Sequence, residues 1–367
     1  MLALIGCALA AGVLSAAGAG RNGIQPKRRP VRRHSAHSPL SPAWRGNGHK
    51  VVLAFGGDVH FEGVLGVRLA DSPASALDGS VSRLLSGANL SMVNFESALT
   101  YGGCPDPQPK AYVFYAPPSA LTAFKAAHIS LVTEANNHGE DCGLAGLRQS
   151  LAIARRAHYP VIGIGDNAAQ AFRPYRAVVD GQRIAIFAAT QVLDADLASA
   201  WTATAHQAGL ASAYQESELV DAVRAARRNS DTVVVYLHWG TETQPCPNAI
   251  QEPLATALVK AGADIVVGTH AHVQLGGGYL GTSLVDYGLG NLAFYDATAP
   301  ETDSGTLVVT VTGRHIDHYQ WRPAVIDNGL PEPQTGADAA AAIQRWNGLR
   351  ACTDLSPRAR SAASAGA

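Results

Sequence analysis

The sequence predicts a single large α/β domain built around a mixed β-sheet core. Between Lys50 and His272, short apolar runs rich in β-branched residues alternate with segments of helical periodicity, as expected of strands joined by crossover helices. After His272 the pattern changes to apolar runs with turns that contain glycine, which favours antiparallel strands. Five clusters of metal-capable residues occur along the chain, and four of them directly follow an apolar run. Because ligands bind outside the carboxyl ends of strands in open α/β sheets, these clusters indicate one site built by the whole fold.

Length and composition agree with a globular protein. The chain has 367 residues, of which 47% are hydrophobic and 16% are charged, and this composition excludes a disordered chain. The formal net charge is −1, so no overall basic field supports binding to nucleic acid. We therefore expect no nucleic acid partner.

The strands are predicted from apolar runs that are bounded by turn-forming residues. The dipeptide Asp180-Gly181 between two such runs favours a β-hairpin. The predicted strands are residues 51–55, 90–95, 129–134, 161–164, 175–179, 183–189, 232–237, 264–267, 276–280, 282–286, 306–312 and 315–321.

The helices are predicted where apolar residues recur every three or four positions. Pro117-Pro118 can begin a helix that runs to Lys125, because proline is tolerated in the first helical turn. Residues 101–116 contain Cys104 and form an irregular loop rich in aromatic residues and proline. The predicted helices are residues 80–86, 117–125, 144–157, 216–229 and 250–261, and the predicted domain covers residues 50–325.

Both ends of the chain are predicted to lie outside this domain. Residues 1–20 carry no charged side chain, and Ala17-Gly18-Ala19 is similar to the cleavage site of a signal peptide. No lysine or arginine precedes the apolar run, so an uncleaved membrane anchor is a second interpretation. We expect an extracytoplasmic protein, either secreted or anchored by this segment. Residues 21–49 are interpreted as a basic linker rich in Pro, Ser and Arg, and residues 354–367 as a disordered tail.

The cysteines are consistent with export. Besides Cys7, the chain contains Cys104, Cys142, Cys246 and Cys352, with no CxxC pair that would indicate thiolate zinc binding. Four cysteines permit two disulfides in three connectivities. Four buried free thiols are the alternative.

The first two clusters offer oxygen and nitrogen ligands. Asp58 and His60 lie two residues apart, so on an extended segment both side chains face the same side and could share one metal ion. Asp-x-His is also an ordinary loop sequence. Glu96 ends a predicted strand, where its carboxylate could bridge two cations or form a surface salt bridge.

The third cluster combines a ligand with a proton donor. The amide oxygen of Asn137 is a plausible hard ligand. His138 could protonate a leaving oxygen, and Asp141, three residues later, could orient its imidazole. Asp141 could equally cap the helix that follows.

The last two clusters supply imidazoles. His238 ends a strongly apolar strand, where a histidine is either a ligand or a hydrogen-bonded core residue. Trp239 is predicted to form a pocket wall, and Glu242 to hold His238 or to contact the substrate. His270 and His272 lie two residues apart after a strand, so each could bind a different metal ion of a pair.

Together the clusters predict a centre of two divalent metal ions. A set of oxygen and nitrogen ligands without sulfur suits manganese, iron or zinc. Two such ions about 3.5–4 Å apart would activate water and stabilise an in-line displacement at phosphorus. The predicted ligands are Asp58, His60, Glu96, Asn137, His238, His270 and His272.

The clusters resemble the motif series of calcineurin-like metallophosphoesterases, and more closely that of the CapA (or PgsA) family of capsule and poly-γ-glutamate biosynthesis proteins. The resemblance covers about residues 50–325. It rests on Gly57-Asp58, Asn94-Phe95-Glu96, the Asn136–Gly143 segment, the His238–Glu242 segment, Gly268-Thr269-His270-Ala271-His272-Val273-Gln274 and the Leu289–Phe294 segment.

This resemblance implies a four-layer αββα sandwich of the metallo-dependent phosphatase type, with the site at the top of the sheets. It also implies a membrane-associated component that assists synthesis, export or attachment of an anionic polymer, together with other membrane proteins of the polymer machinery. The chain departs from the phosphoesterase pattern at its second cluster, where the usual Gly-Asp is replaced by Asn94-x-Glu96. The chain also lacks a phosphate-binding GxxxxGK[ST] loop, so an ATP-using ligase is not expected.

Two functions follow from these observations. The first is a metal-dependent hydrolase of a phosphoester or of an amide-linked polymer, with His138 as general acid and Asp141 as its orienting partner. Asn291 and residues 287–294 would line its substrate pocket. The second is a non-catalytic capsule-assembly or polymer-binding subunit that keeps the same fold. A cytoplasmic phosphatase with a misplaced start codon is a third, less favoured interpretation.

Overall fold

The fold is a four-layer sandwich in which two β-sheets pack face to face and helices cover the outer faces. The structure is a computed structural model that describes residues 38–295 and 298–360, all within one compact unit. The four-layer αββα prediction is therefore confirmed.

The elements are as follows, in chain order. The strands are β1 (Val51–Val59), β2 (Leu90–Phe95), β3 (Ala98–Leu99), β4 (Tyr115–Ala116), β5 (Leu131–Thr133), β6 (Val161–Ile162), β7 (Ile164–Gly165), β8 (Tyr175–Val179), β9 (Gln182–Thr190), β10 (Gly209–Leu210), β11 (Thr232–Trp239), β12 (Ile265–His270), β13 (Gly277–Leu280), β14 (Ser283–Asp286), β15 (Asn291–Ala293), β16 (Asp303–Thr312), β17 (His315–Asp327) and β18 (Leu330–Pro333). The α-helices are α1 (Gly63–Asp71), α2 (Asp78–Leu85), α3 (Ala120–Ala126), α4 (Gly143–Ala157), α5 (Ala168–Ala171), α6 (Ala198–Trp201), α7 (Glu216–Arg227), α8 (Gln251–Ala261) and α9 (Gly336–Gly348). Two 3₁₀ turns cover Pro73–Ser75 and Leu349–Cys352.

Both large sheets are mixed. The first has the order β18-β17-β16-β1-β2-β5-β6, with β15 also paired to β1. Strands β1, β2, β5 and β6 run parallel, whereas β16, β17 and β18 form an antiparallel extension. The second sheet has the order β13-β14-β12-β11-β9-β8, with parallel central strands and antiparallel edges. The carboxyl ends of the parallel strands of both sheets meet at one pole of the molecule.

The apolar faces of the two sheets form the central core. Side chains such as Phe55 and Val309 of the first sheet pack against Ile186, Tyr236 and Val267 of the second. Two further cores lie outside, where α1, α2 and α3 cover the first sheet and α7 and α8 cover the second. Burying each such large apolar side chain contributes about 1.5–3 kcal/mol, so this packing is the main force that holds the strand ends together at the pole.

The structure contains several elements that the sequence pattern did not predict. Helix α1 begins at Gly63 and contains a second glycine, Gly66, and glycine lowers intrinsic helix propensity. Strand β18 and helix α9 extend the fold beyond residue 325, and Trp346 of α9 stacks on Trp321 with ring centroids 5.5 Å apart. The predicted strand 161–164 is split into β6 and β7 at Gly163, whose φ is +83°.

The predicted linker and tail are partly folded onto the domain. Trp44 donates a hydrogen bond from Nε1 to Oδ1 of Asp231 over 2.8 Å, and Arg314 donates to the backbone oxygen of Leu40 over 2.7 Å. Residues 354–360 do not form a disordered tail, because Ser356 exchanges two backbone hydrogen bonds with Tyr279. Residues 1–37 and 361–367, and with them the predicted signal peptide or anchor, lie outside the described residues.

The four cysteines of the described residues form two disulfides. Cys104 pairs with Cys142, and Cys246 pairs with Cys352, which selects one of the three connectivities left open by the sequence. Within residues 38–295 and 298–360, none of the helices has the length and apolar character needed to cross a bilayer.

Candidate metal centre

The predicted site residues gather where the strands of the two sheets end. Two hydrogen bonds tie the sheets together here: Tyr236 donates its hydroxyl to the backbone oxygen of Gly56 over 2.6 Å, and the backbone N–H of His270 donates to Oδ2 of Asp58 over 3.1 Å. Gly57 allows β1 to pass against Gly290, because a Cβ at position 57 would lie 1.7 Å from the oxygen of Gly290. This close approach lets the end of β1 pair with β15, and the bond from His270 holds Asp58 beside the second sheet.

The carboxylate of Glu96 lies at the centre of the site without a hydrogen-bond partner. Its side chain is fully buried, and neither oxygen makes a hydrogen bond within the described residues. Oε1 lies 3.8 Å from Nε2 of His238, 3.8 Å from Nε2 of His272 and 3.9 Å from Nε2 of His138. These separations are too long for hydrogen bonds. Burial without a hydrogen bond makes the ionised form of this carboxyl group costly, so a cation bound among these atoms would stabilise it.

Three overlapping groups of side chains could hold a metal ion. In each group the ligand atoms lie within 4.8 Å of one another. The groups are Glu96 with His238 and His270, Asp58 with Glu96 and His272, and Glu242 with His270 and His272. Since Glu96, His270 and His272 each belong to two groups, the donors form one connected centre.

The backbone at the fifth cluster adopts an unusual conformation. His270 and His272 have φ values of +94° and +58°, a region that side-chain-bearing residues rarely occupy. Such outliers cost on the order of 1–3 kcal/mol and concentrate at functional sites. Here the unusual backbone conformation directs the imidazoles of His270 and His272, which are separated by one residue, towards the same site at the end of β12.

A chain of amide hydrogen bonds fixes Asp58. Asn94 donates from Nδ2 to Oδ1 of Asp58 over 2.7 Å and accepts on Oδ1 from Nδ2 of Asn136 over 2.9 Å. Asn136 also donates to the backbone oxygen of Phe95 over 2.8 Å. Asn94 and Asn136 therefore position the candidate ligand Asp58 through hydrogen bonds. Both residues lie in the motifs described above, but this role was not predicted from the sequence.

Asn137 and His238 face each other across the site. Oδ1 of Asn137 lies 2.7 Å from Nε2 of His238, the same nitrogen that faces Glu96. Burial holds the pKa of His238 well below its usual range, so its imidazole is neutral. A neutral imidazole and an amide oxygen are both competent metal ligands.

His272 differs from His238 and His270 in the direction of its pKa shift. Burial alone would lower its pKa, but the carboxylates of Glu96 and Asp58 outweigh burial and raise the pKa to about 9. Asn291 accepts from its Nδ1 over 2.9 Å. Asn291 is itself fully buried, so it orients His272 rather than lining a substrate pocket, which corrects its predicted role.

His138 is held by Asp141, as its spacing in the sequence predicted. Nδ1 of His138 lies 2.6 Å from Oδ2 of Asp141, which also accepts the backbone N–H of Phe114 over 2.7 Å. Helix α4 begins at Gly143, and the carboxylate of Asp141 is engaged with these partners instead of capping it. The other nitrogen of His138 points towards Glu96. The imidazole can therefore exchange a proton with a group bound at the centre.

Lys110 is a site residue that sequence reasoning did not assign to the centre. Its side chain is only 7% exposed, and Nζ donates to Oδ1 of Asp141 over 2.7 Å and to the backbone oxygen of Asn137. It also lies 3.4 Å from Oδ2 of Asp194 and 5.1 Å from the ring centroid of Trp201. Its only sequence signal was its place in the irregular loop of residues 101–116.

That loop is fastened to the site at two points. The Cys104–Cys142 disulfide joins it to the residue after Asp141, and the backbone N–H of Gln108 donates to the oxygen of Asp141 over 2.9 Å. Phe114, near its end, stacks on His138 with centroids 4.2 Å apart. The loop thus supplies the surroundings of the His138–Asp141 pair.

His60 lies beside the centre but belongs to none of the three metal-capable groups. Its Nε2 accepts the backbone N–H of Tyr295 over 3.3 Å, and its ring stacks on Phe294 with centroids 3.9 Å apart. Burial lowers the pKa of His60 to about 3, so the ring is neutral. Its Nδ1 has no partner among the described residues, and it is the only nitrogen left to act as a ligand.

A cavity of about 410 Å³ opens beside the centre, and its walls include Lys110, Tyr112, Asn137, His138 and Glu242. Exposed Asp194 and Asp196 complete an acidic mouth. Glu242 therefore lines the predicted substrate space. Trp239 does not, because its side chain is fully buried and donates to the backbone oxygen of Tyr287 over 3.0 Å. This burial corrects its assignment as a pocket wall.

The residues present fit a divalent cation. The donors are carboxylates, an amide oxygen and imidazoles, without sulfur, which suits manganese, iron or zinc. Burial raises the pKa of Glu96 well above its usual range and lowers that of His270 to about 3. Nδ1 of His270 has no partner among the described residues. The neutral imidazoles of His238 and His270 thus lie beside a carboxyl group without a hydrogen-bond partner, and this arrangement suits a cation.

Comparison with known proteins identifies the family of the chain. A family model described as bacterial capsule synthesis protein PGA_cap matches residues 52–296, more than half of the chain. The capsule biosynthesis protein CapA of Bacillus anthracis is 32% identical over 220 residues, 59% of this chain and 53% of that protein. The PGA biosynthesis protein CapA of Bacillus subtilis (strain 168) is 27% identical over 241 residues, 65% of this chain and 62% of that protein. The matches thus span little more than half the length of these relatives.

Among solved structures, the chain is similar to a phosphatase from Mycoplasma pneumoniae. The TM-score is 0.47 at 14% sequence identity, and the match covers 76% of this chain and 95% of that one.

Proposed function

Because the chain belongs to the bacterial capsule synthesis protein family, we propose that it is a metal-dependent hydrolase that acts in the synthesis or export of an anionic capsule polymer. The observation that carries the proposal is the environment of Glu96, a fully buried carboxylate without a hydrogen-bond partner in the described residues. Three imidazole nitrogens surround it at 3.8–3.9 Å. A carboxyl group needed only for folding would have hydrogen-bond partners, since burying a polar group without them costs stability.

The residues that would hold the metal are those with free or weakly engaged donor atoms at the centre. Bound there, one or two divalent ions would lower the pKa of a water and neutralise charge that develops on the reacting group. The ligands proposed are Asp58, Glu96, Asn137, His238, His270 and His272, with Glu242 within reach. His60 is a weaker ligand, because Tyr295 already occupies its Nε2.

His138 is proposed as the general acid. Its Nδ1 is taken by Asp141, which leaves Nε2 directed towards the centre and able to donate a proton to a leaving oxygen or nitrogen. Asp141 fixes the tautomer and the ring plane, and Lys110 and the Phe114 N–H fix Asp141 in turn. The proton donor is therefore rigid before any substrate arrives.

The proposed substrate bond is a phosphoester or the amide bond of a polymer such as poly-γ-glutamate. Both reactions need a stabilised negative charge on oxygen and a protonated leaving group. The acidic mouth formed by Asp194, Asp196 and Glu242 favours a substrate that reaches the centre with a neutral or cation-screened segment.

Turnover by the purified full chain tests this proposal. The protein is reconstituted separately with Mn²⁺ and Zn²⁺ and is given bis(p-nitrophenyl) phosphate or poly-γ-glutamate. We expect metal-dependent hydrolysis of at least one substrate, lost in Asp58→Asn and retained in Arg83→Gln, whose side chain is exposed and distant from the centre. If the protein contains metal but hydrolyses neither substrate, this result would contradict the proposal that it is a metal-dependent hydrolase.

A non-catalytic assembly or polymer-binding subunit is the second candidate. The observation that favours it is the cavity mouth, where the only lysine or arginine among the described lining residues is Lys110, already paired with Asp141 and Asp194. The binding of an anionic polymer at such a mouth would gain little from electrostatic attraction. In this case the other membrane proteins of the polymer machinery are the partners, and Asp58→Asn leaves polymer assembly in cells intact.

The proposal includes an extracytoplasmic location, secreted or anchored by residues 1–20. It is supported by the pairing of Cys104 with Cys142 and of Cys246 with Cys352, since disulfides persist in oxidising compartments. Thiol alkylation of the protein from its native host, followed by mass spectrometry, tests it. Four alkylated cysteines without prior reduction would favour a cytoplasmic phosphatase instead.

A further inference from the structure

A second cavity, of about 550 Å³, lies at the open side of the sandwich, where the edge strands of the two sheets approach each other. Strand β6 ends the first sheet and strand β8 ends the second, and both contribute to the cavity through Ile162 and Tyr175. None of the proposed metal ligands lines it. It is therefore a separate feature of the surface, called the edge groove below.

The edge groove carries positive charge that is only weakly compensated. Arg155 of α4 and Arg173, which precedes β8, both line it together with His158, and no carboxylate is among its described lining residues. Arg155 has one ion pair, 3.5 Å from Asp166, with both side chains more than half exposed. Such a pair contributes about 0–1 kcal/mol. The side chain of Arg173 makes no ion pair or hydrogen bond within the described residues.

The floor of the edge groove is apolar. It is formed by Leu151 and Ala154 of α4, Tyr159, Ile162 of β6 and Tyr175 of β8. Two arginine side chains above an apolar floor suit a ligand that combines anionic groups with an aliphatic backbone. A small inorganic anion would leave this floor uncovered.

The groove continues along the outer edge of the second sheet. A neighbouring cavity of about 640 Å³ shares Arg173 and Pro174 with it, and a third of about 340 Å³ shares Arg176 and Asn229 with the second. Arg176 bonds to neutral partners, the side chains of Asn229 and Ser230. The series of cavities therefore forms a path for an extended chain and not a closed pocket.

Carboxylates enter only in the second cavity. Glu218 and Asp221 line it, and Asp221 is paired with Arg224 of the same helix. Arg155 and Arg173, which line the edge groove itself, therefore have at most one weak ion pair between them. The mouth of the metal centre differs in charge from the edge groove. Among its described lining residues, the only lysine or arginine is Lys110, which is already paired with acids.

We propose that the edge groove binds an anionic polymer that carries carboxylates on an aliphatic backbone, with Arg155 and Arg173 pairing with successive carboxylates and the apolar floor contacting the methylene groups. The identification of this polymer as the capsule polymer rests on the proposed function, but binding in the groove does not require turnover. The groove would hold the polymer at a distance from the metal centre while a single segment is processed or passed on.

Equilibrium binding of fluorescent poly-γ-glutamate to the full chain tests this proposal. We expect the Arg155→Gln/Arg173→Gln protein to bind about tenfold or more weakly than the unmodified chain, since two charge-assisted contacts are lost. The Arg83→Gln/Arg345→Gln protein removes the same charge from exposed arginines that are each paired with one acid elsewhere, and it should bind like the unmodified chain.

The outcomes separate the groove from the metal centre. Asp58→Asn should keep polymer binding, and Arg155→Gln/Arg173→Gln should keep the hydrolysis of a small phosphodiester. Equal binding by the two double variants would overturn the proposal that the edge groove binds the polymer, whatever the result for turnover. Equally tight binding of inorganic polyphosphate or single-stranded DNA would overturn the assignment to a carboxylate polymer.

Discussion

The Nδ1 atom of His138 lies 2.6 Å from the Oδ2 atom of Asp141, and the opposite nitrogen of the same ring points towards Glu96. The first contact fixes the ring, and the second directs a proton donor into the centre. Because the remaining contacts of Asp141 come from the loop of residues 101–116, the proton donor depends on a segment outside the central strands.

Replacing His138 with alanine should lower kcat by about 10²–10⁴-fold, the range typical of a lost general acid. Metal content should stay unchanged, because His138 is not among the proposed ligands. Single-substrate kinetics with elemental analysis of the same sample check both expectations. His206→Ala, at an exposed loop position, is the matched control. Retained turnover in the His138 variant would remove this residue from the mechanism.

Replacing Lys110 with methionine should reduce both stability and turnover. The substitution keeps the aliphatic stem but leaves the buried carboxylate of Asp141 without its charged partner, at a cost of about 1–3 kcal/mol. Urea unfolding and kcat are measured for Lys110→Met and for Lys125→Met, which changes an exposed lysine. If both variants lose the same stability and turnover, Lys110 has no special role in holding Asp141.

The two disulfides should differ in their effect on activity. In the chain-entropy model, the separations of 38 and 106 residues correspond to about 4 and about 5 kcal/mol of stability. Cys104→Ser/Cys142→Ser should also lower kcat, because the first disulfide joins the loop that carries Lys110 to the residue after Asp141. Cys246→Ser/Cys352→Ser should lower stability alone. Equal loss of kcat per folded molecule in both variants would contradict this difference.

The buried carboxyl group of Asp286 should make the free energy of unfolding decrease as the pH rises. Burial raises the pKa of Asp286 from its ordinary value of 3.8 to about 8. Between these values the unfolded chain releases a proton that the folded chain retains, so stability falls by about 1.4 kcal/mol per pH unit from this group. This stability is fully present below about pH 4 and is lost as the pH rises through 8.

The substitution Asp286→Asn should therefore flatten the decline in unfolding free energy between pH 5 and pH 8. Urea unfolding in the presence of a chelator, at several pH values, measures the slope without a contribution from bound metal. Asp71→Asn, at an exposed position, should leave the slope unchanged. An unchanged slope in Asp286→Asn would show that the carboxyl is not held protonated in the folded state.

The sequence carried most of the information about the strands and the centre. The parallel strands are apolar on both faces, so their runs were recognisable, and the residues that follow them had to meet at one pole. For this reason Glu96 and His270 could be predicted to lie close together. Trp239 could not be placed correctly, because a tryptophan after a strand can face either the pocket or the core, and only the packing against Tyr287 decides between them.

Other features depend on contacts between distant segments. Lys110 lies 27 positions from Asn137 and 31 from Asp141, in a loop without periodicity, and nothing local indicates where its side chain ends. Asn291 looked like a pocket residue until its register opposite Asp58 in β1 and its bond to His272 were known. Tertiary contacts of this kind leave no mark on the pattern of a single chain.

Metal content of the purified full chain tests the central claim most directly. Elemental analysis after reconstitution and desalting should find about two equivalents of manganese, iron or zinc per chain, as a dinuclear centre requires. Glu96→Gln and His270→Ala should lose most of this metal, whereas His138→Ala should keep it. An unmodified protein that retains no metal after reconstitution, or a Glu96→Gln protein that retains all of it, would contradict a metal centre organised around Glu96.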